Sequence, residues 1–156
     1  MTTWPTEAEC PKFFGPKGEN QTSIQLPYPM RLAWDMDTLV HKITCHEKVA
    51  EPLGRIFAKL YSEYGQDKLT ELGIDRFGGC LNVRLKRGSK SAWSIHSWGV
   101  AIDLDPDRNT LRETSRTARF ARPEYLAMWR IVESEGAVSY GRTRGIDFMH
   151  WQFARI

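Results

Sequence analysis

Val100-Ala101-Ile102-Asp103-Leu104-Asp105 alternates in chemistry, with Val100, Ile102 and Leu104 on one face and Ala101, Asp103 and Asp105 on the other. Successive side chains of a strand point to opposite faces, so this segment can bury its aliphatic side and present Asp103 on the other. Leu81-Asn82-Val83-Arg84-Leu85-Lys86 repeats the pattern with Arg84 on its polar face. Met149-His150-Trp151-Gln152-Phe153 repeats it again with His150. Three short strands are expected here, and a shared polar face would gather Arg84, Asp103 and His150.

Two spacings break the alternation. His96 precedes Asp103 by seven residues and Asp147 precedes His150 by three, so unbroken strands would send each pair to opposite faces. The chain must therefore turn between them, and Gly99 and Gly145 are placed to allow it. His96 is expected on a loop before the Asp103 strand, and residues 147–150 are expected to include a turn or bulge. Two imidazoles and a carboxylate (His96, His150, Asp103) suit a catalytic zinc site, which uses three protein ligands and leaves a fourth position for water. Asp147 is a spare carboxylate able to take a proton from that water.

Elsewhere the period changes. Leu39, Ile43, His46, Ala50, Leu53, Phe57, Leu60 and Tyr64 recur at steps of three or four, which predicts a core-packing helix over 38–64. Pro52 is expected to kink or divide it near Ala50, and Gly65 to stop it. A second helix is predicted from Pro123 to Glu135, with Gly136 after it. Residues 1–35, rich in Pro and Gly without a sustained period, read as an irregular N-terminal arm. The expected fold is α+β: one domain over 1–156, with a small, mainly antiparallel sheet, helices on one face and the zinc site on the other.

Composition bounds the function. The chain has 156 residues, 41% hydrophobic and 26% charged, the balance of an ordinary globular protein. No apolar run approaches the ~20 residues of a membrane span. Met1–Cys10 carries acids and no apolar stretch, so it does not read as a secretory signal. Cys10, Cys45 and Cys80 are odd in number and scattered, which argues against a disulfide framework or a thiolate metal site. The net charge of +3 suits an anionic target such as wall polymer without requiring one.

Ser94-x-His96-x-x-Gly99-x-Ala101-x-Asp103, answered by Asp147-x-x-His150, resembles the zinc D,D-carboxypeptidase and L-alanyl-D-glutamate endopeptidase family of peptidoglycan metallopeptidases. That family includes vancomycin-resistance D,D-dipeptidases and many phage endolysins, and shares its architecture with hedgehog signalling domains. The likeness is specific over 94–103 and 147–150 and looser over 78–90, where Gly79-Cys80-Leu81-Asn82-Val83-Arg84 is similar to the strand bearing the family arginine. It implies one zinc per chain on His96, Asp103 and His150, with Asp147 as the general base. That base is Glu in the dipeptidase branch and commonly Asp in phage endopeptidases. The resemblance also implies that Arg84 polarises the scissile carbonyl and that Ser94 lies on the substrate side. Tyr140-Gly141-Arg142-Thr143-Arg144-Gly145 departs from the Gly-Gly-x-Trp-like run of many relatives, which leaves substrate specificity open.

The implied activity is hydrolysis of an amide in peptidoglycan stem peptides by an L-alanyl-D-glutamate endopeptidase of phage-lysin type. Such a protein is made in the cytoplasm and reaches the wall on lysis or as part of a virion. A D,D-carboxypeptidase or dipeptidase is the alternative enzyme, and a zinc-stabilised wall-binding module the non-enzymatic one. The expected partner is the wall peptide alone, with the protein a monomer that binds no nucleic acid.

Blander readings stand beside these. Arg84 could be an ordinary ion-pair partner, and Ser94 could simply cap a turn. His46-Glu47 lacks the second His of an H-E-x-x-H site, so His46 is expected to be packed and hydrogen-bonded, and His41 to lie on the surface. Arg108, Arg112, Arg116, Arg119 and Arg122 form either one basic helical edge or a solvated loop. Trp93, Trp98 and Trp151 are expected to pack the walls of the site.

Overall fold

The computed structural model describes residues 3–156. A short helix α1 (Cys10–Phe14) is followed by two long strands, β1 (Gln21–Leu32) and β2 (Asp35–His46). Helix α2 (Ala50–Leu72) comes next, then β3 (Arg76–Gly79) and β4 (Ala101–Leu104). The chain closes with α3 (Leu126–Ser134), β5 (Val138–Ser139), α4 (Tyr140–Arg144) and β6 (His150–Gln152). The six strands form one sheet in the order β2-β1-β3-β4-β6-β5. Only the β1–β3 pairing is parallel, so the expected α+β class with a mainly antiparallel sheet is what the structure shows. Helices pack against the sheet, and the His/Asp cluster lies on one face.

The N-terminal third departs from expectation. Residues 21–32 are a strand rather than part of an irregular arm, with Leu26, Tyr28 and Met30 buried at every second position. Pro27 and Pro29 take the intervening exposed positions, and the β1–β2 register breaks between Gln25 and Met30. Proline has no N–H for a ladder, so it sits where pairing lapses, and there it masks the alternation of its neighbours. Residues 35–46 are also a strand. Ile43 and Cys45 point inward at a step of two, which the three-or-four stripe through Leu39, Ile43 and His46 conceals. The helix begins at Ala50, so Pro52 lies in its first turn, where a missing N–H costs no helical bond. Gly65 does interrupt the helix (φ 74°, ψ 162°), but the chain resumes its course and ends on left-handed Gly73.

Residues 81–86 are not a strand either. A single bridge, Leu85 to Trp93, is the only ladder contact there, and Val83 is half exposed. The strand between β1 and β4 is instead Arg76–Gly79, in which Gly78 admits the close approach of Asp103. The basic run 108–122 forms no common helical edge. Arg108 binds Asp105 at 2.8 Å and Arg119 donates to Tyr125 Oη at 2.7 Å, so these two serve the interior. Helix α3 matches the expected second helix, entered through a 3-10 turn at Pro123–Tyr125.

Leu53, Ile56, Phe57 and Leu60 of α2 are fully buried against the sheet. The Phe57 ring meets Tyr28 of β1 at 6.1 Å and Trp151 of β6 at 6.2 Å, so one helix spans both halves of the sheet. Full burial of each such side chain contributes roughly 1.5–3 kcal/mol. His46 is packed as expected: it is buried, with Nε2 2.7 Å from Phe14 O and Nδ1 accepting from Lys48 N. His41 is exposed, also as expected. The three cysteines are buried and free, and burial pushes the Cys45 and Cys10 thiols up to about 11 and about 12, keeping them protonated.

Glu135, just beyond α3, receives Arg55 Nε at 2.7 Å and Arg55 Nη2 at 3.1 Å from α2. The Arg55 hydrogen bond holds the Glu135 carboxyl below its ordinary 4.5. A carboxyl lowered on folding stabilises the fold above its unfolded value and loses that contribution as pH falls through its folded value. Glu135→Gln should therefore lower the melting temperature at pH 7 by the equivalent of about 0.2–1 kcal/mol. The difference from wild type should vanish in melts run well below pH 4.5.

Candidate active site

Strand pairing sets the first half of the site. Asp103 of β4 lies opposite His150 of β6, and Ala101 lies opposite Gln152. Residues opposite one another share a face, so Asp103, His150 and Gln152 project together while Ile102 and Trp151 enter the core. His96 arrives from a 3-10 turn, Ile95–Trp98. Ser94 begins this turn with its Oγ accepting from His96 N at 3.2 Å. Gly99 ends it in the left-handed region (φ 68°), and a Cβ there would lie 2.2 Å from Gln21 Oε1. The positive φ is what favours glycine here. The expected turn between His96 and Asp103 is thus present.

The turn brings His96 Nε2 to 3.1 Å from Asp103 Oδ2, and His150 Nδ1 lies 3.1 Å from Asp103 Oδ1. One ligand atom from each of the three residues falls within 4.8 Å of the others. The outer imidazole nitrogens are engaged too. His96 Nδ1 is 2.8 Å from Cys80 O and His150 Nε2 is 2.8 Å from Gln152 Oε1. Oxygens of these kinds only accept, so both outer nitrogens carry hydrogen. The inner nitrogens donate to Asp103 while the rings are protonated, and they are the ones a metal would take once that hydrogen is lost. Two imidazole nitrogens and a carboxylate oxygen, each fixed from outside, match the donor set of a catalytic zinc site.

The electrostatics follow from this packing. Burial alone would raise the Asp103 carboxyl, but His96 and His150 outweigh it and hold the group well below the usual carboxylate range. Burial opposes protonation of His150, yet the bond and charge of Asp103 raise its pKa. Asp147 is raised by burial and by the Asp103 charge.

Asp147 sits on the expected turn with φ 61°, a left-handed conformation that Asp tolerates better than most residues. Its N–H donates to Leu111 O at 3.0 Å and its carbonyl accepts from His150 N at 3.1 Å. The turn thereby fixes Asp147 beside the triad, and both line one cavity of about 320 Å³. Arg84 lines that cavity as well, though not from a strand. Its backbone N donates to Ser97 Oγ at 3.2 Å, Ser97 Oγ donates to its carbonyl at 3.1 Å, and Ser94 N donates to the same carbonyl at 2.9 Å. Arg84 is therefore clamped to the turn that carries His96. Ser94 borders the cavity while capping that turn, so the capping reading holds.

Trp151 is fully buried and Trp98 nearly so, with Trp98 Nε1 donating to Gly15 O at 2.9 Å. Trp93 remains 41% exposed beneath Lys17 and is no wall of the core. Sequence reasoning missed Cys80 O, Ser97, Gln152, Glu7 and Tyr140, all of which support or border the site. Gln152 alone carried a signal, because it shares the alternating face with His150.

Purified protein should contain one zinc per chain. His96→Ala, Asp103→Ala and His150→Ala should each leave it substoichiometric by elemental analysis, with the folded signal retained. Full zinc occupancy in His150→Ala would remove that residue from the ligand set.

Residues 87–153 match the protein family described as D-alanyl-D-alanine carboxypeptidase. Comparison with curated proteins and with solved structures gives no match. The matched segment contains every member of the triad and Asp147, but not Arg84. The matched segment, less than half of the chain, is similar to that family, and the donors clustered within it form a zinc metallopeptidase site.

Proposed function

We propose that the protein is a zinc-dependent peptidase that hydrolyses an amide in peptidoglycan stem peptides, as a D,D-carboxypeptidase or dipeptidase that releases D-alanine. The supporting observation is one cavity lined by His96, Asp103 and His150 together with Asp147, Arg84, Arg87 and Arg144. Among the described residues, none of these three arginines has an ion-pair partner. Unpaired cations around a hydrolytic centre suit a substrate that ends in a carboxylate. The family description favours this carboxypeptidase or dipeptidase reading over the L-alanyl-D-glutamate endopeptidase expected from Asp147 and the N-terminus.

His96, Asp103 and His150 would hold the zinc, which would supply Lewis acidity and acidify the attacking water. The chain's own residues do the rest. Asp147, held against the triad by its turn, accepts the proton of the attacking water and delivers it to the departing amine. Arg84 donates to the carbonyl oxygen as negative charge develops there. The backbone clamp on Ser97 and Ser94 keeps Arg84 in register with His96. The Ser94 hydroxyl hydrogen, not used by the cap, is available to the substrate.

Digestion of purified peptidoglycan with mass spectrometry of the products separates the possibilities. Released D-alanine is the expected result. New L-alanine C-termini would assign an endopeptidase, and an unchanged wall at full zinc occupancy would leave a binding module. Asp147→Asn should retain zinc and lose about 100-fold or more in turnover, because an amide cannot accept the proton. Arg84→Ala should lose about 100- to 1,000-fold with zinc content and melting temperature preserved. Arg84→Lys should recover only part of that loss, since it keeps the charge without the planar fork.

A further inference from the structure

Behind His150 the hydrogen bonding continues outward through a fully buried amide to the N-terminal turn. Gln152 Oε1 faces His150 Nε2 at 2.8 Å, while Gln152 Nε2 donates to Glu7 Oε1 at 3.0 Å and to Ala154 O at 3.0 Å. Reversing the amide would set its oxygen against a carboxylate and a carbonyl, two acceptors with no hydrogen between them. Glu7 therefore decides which end of the amide His150 meets. The Tyr140 hydroxyl donates to the same Glu7 oxygen, and its ring stands edge-on to the His150 imidazole at 4.7 Å. Glu7 is itself held in place by its N–H on Arg155 O at 3.1 Å, with Arg155 N returning to Pro5 O at 2.7 Å.

We infer that Glu7 is a positioning residue of the metal centre: through Gln152 it fixes the His150 ring with Nε2 donating outward and Nδ1 turned toward Asp103, as the nitrogen a metal would take. The segment 5–9, outside the residues that match the family, is thereby made part of the site. The inference rests on the reading of His96, Asp103 and His150 as a zinc centre, but not on which bond is cut.

Zinc affinity of the apoprotein, measured by competition with a chromogenic chelator, tests the relay without any substrate. Partners of metal-ligating histidines typically contribute 10- to 100-fold in affinity, so Gln152→Leu should weaken zinc binding by about that factor. Glu7→Ala should weaken it by roughly 10-fold, whereas Glu7→Gln, whose amide oxygen still accepts from Gln152, should stay nearer wild type. The double variant should be little weaker than Gln152→Leu alone, because the relay from Glu7 to the His150 nitrogen runs through that amide. Glu7 is on the surface side, so Glu7→Ala decides the matter if the buried Gln152→Leu fails to fold. A purely structural Glu7 would lower the melting temperature of the apoprotein and leave its zinc affinity untouched. Wild-type affinity in Glu7→Ala, or losses that multiply in the double variant, would overturn the relay. A protein that binds zinc tightly yet cuts no peptide would overturn the proposed reaction and leave the relay standing.

Discussion

The site depends on one carboxylate held between two imidazoles. Asp103 sits 3.1 Å from His96 on one oxygen and 3.1 Å from His150 on the other, so three chain segments converge on a single side chain. A buried carboxylate without partners would be costly, and the two histidines offset that cost by holding it ionised. The same arrangement turns the ligating nitrogens inward. It is stable because each imidazole also donates outward, to Cys80 O and to Gln152. The triad is thus assembled by protein hydrogen bonds, in a geometry suited to a single metal ion.

The rest of the fold keeps those segments in register. Antiparallel pairing of β4 with β6 sets Asp103 against His150, and Phe57 of α2 packs on Trp151 directly behind the pair. The His96 turn is held to the hairpin by Gly99, whose carbonyl accepts from His46 N at 2.9 Å. Buried His46 therefore lies at the junction between hairpin and active-site turn, an interior role that suits its packed, hydrogen-bonded state. Asp147 and Asp105 both adopt left-handed backbone, at φ 61° and 44°, next to the strands that bear ligands. Strained backbone of this sort persists only where surrounding contacts determine it.

What could be read from the sequence was the part governed by local alternation. Val100–Asp105 and Met149–Phe153 form strands because their aliphatic and aromatic faces have a core to enter, and the spacings from His96 and Asp147 demanded turns that exist. Three segments misled for separate reasons. Pro27 and Pro29 hide the inward series Leu26, Tyr28 and Met30. Leu39, Ile43 and His46 satisfy a helical step while Ile43 and Cys45 bury as a strand. Leu81–Leu85 alternates, yet its anchoring runs through Ser94 and Ser97 rather than a ladder, so Arg84 reaches the cavity from a loop. Glu7 had no local signal at all, since its partner Gln152 lies 145 residues away in sequence.

A crystal structure of the zinc-loaded protein, with the ion located by its anomalous scattering, tests the central claim most directly. The account predicts one ion at about 2.0–2.2 Å from His96 Nε2, His150 Nδ1 and an Asp103 carboxylate oxygen. It also predicts that Cys80 O and Gln152 Oε1 still accept from the outer nitrogens. An ion bound through His150 Nε2, or one held without Asp103, would contradict it.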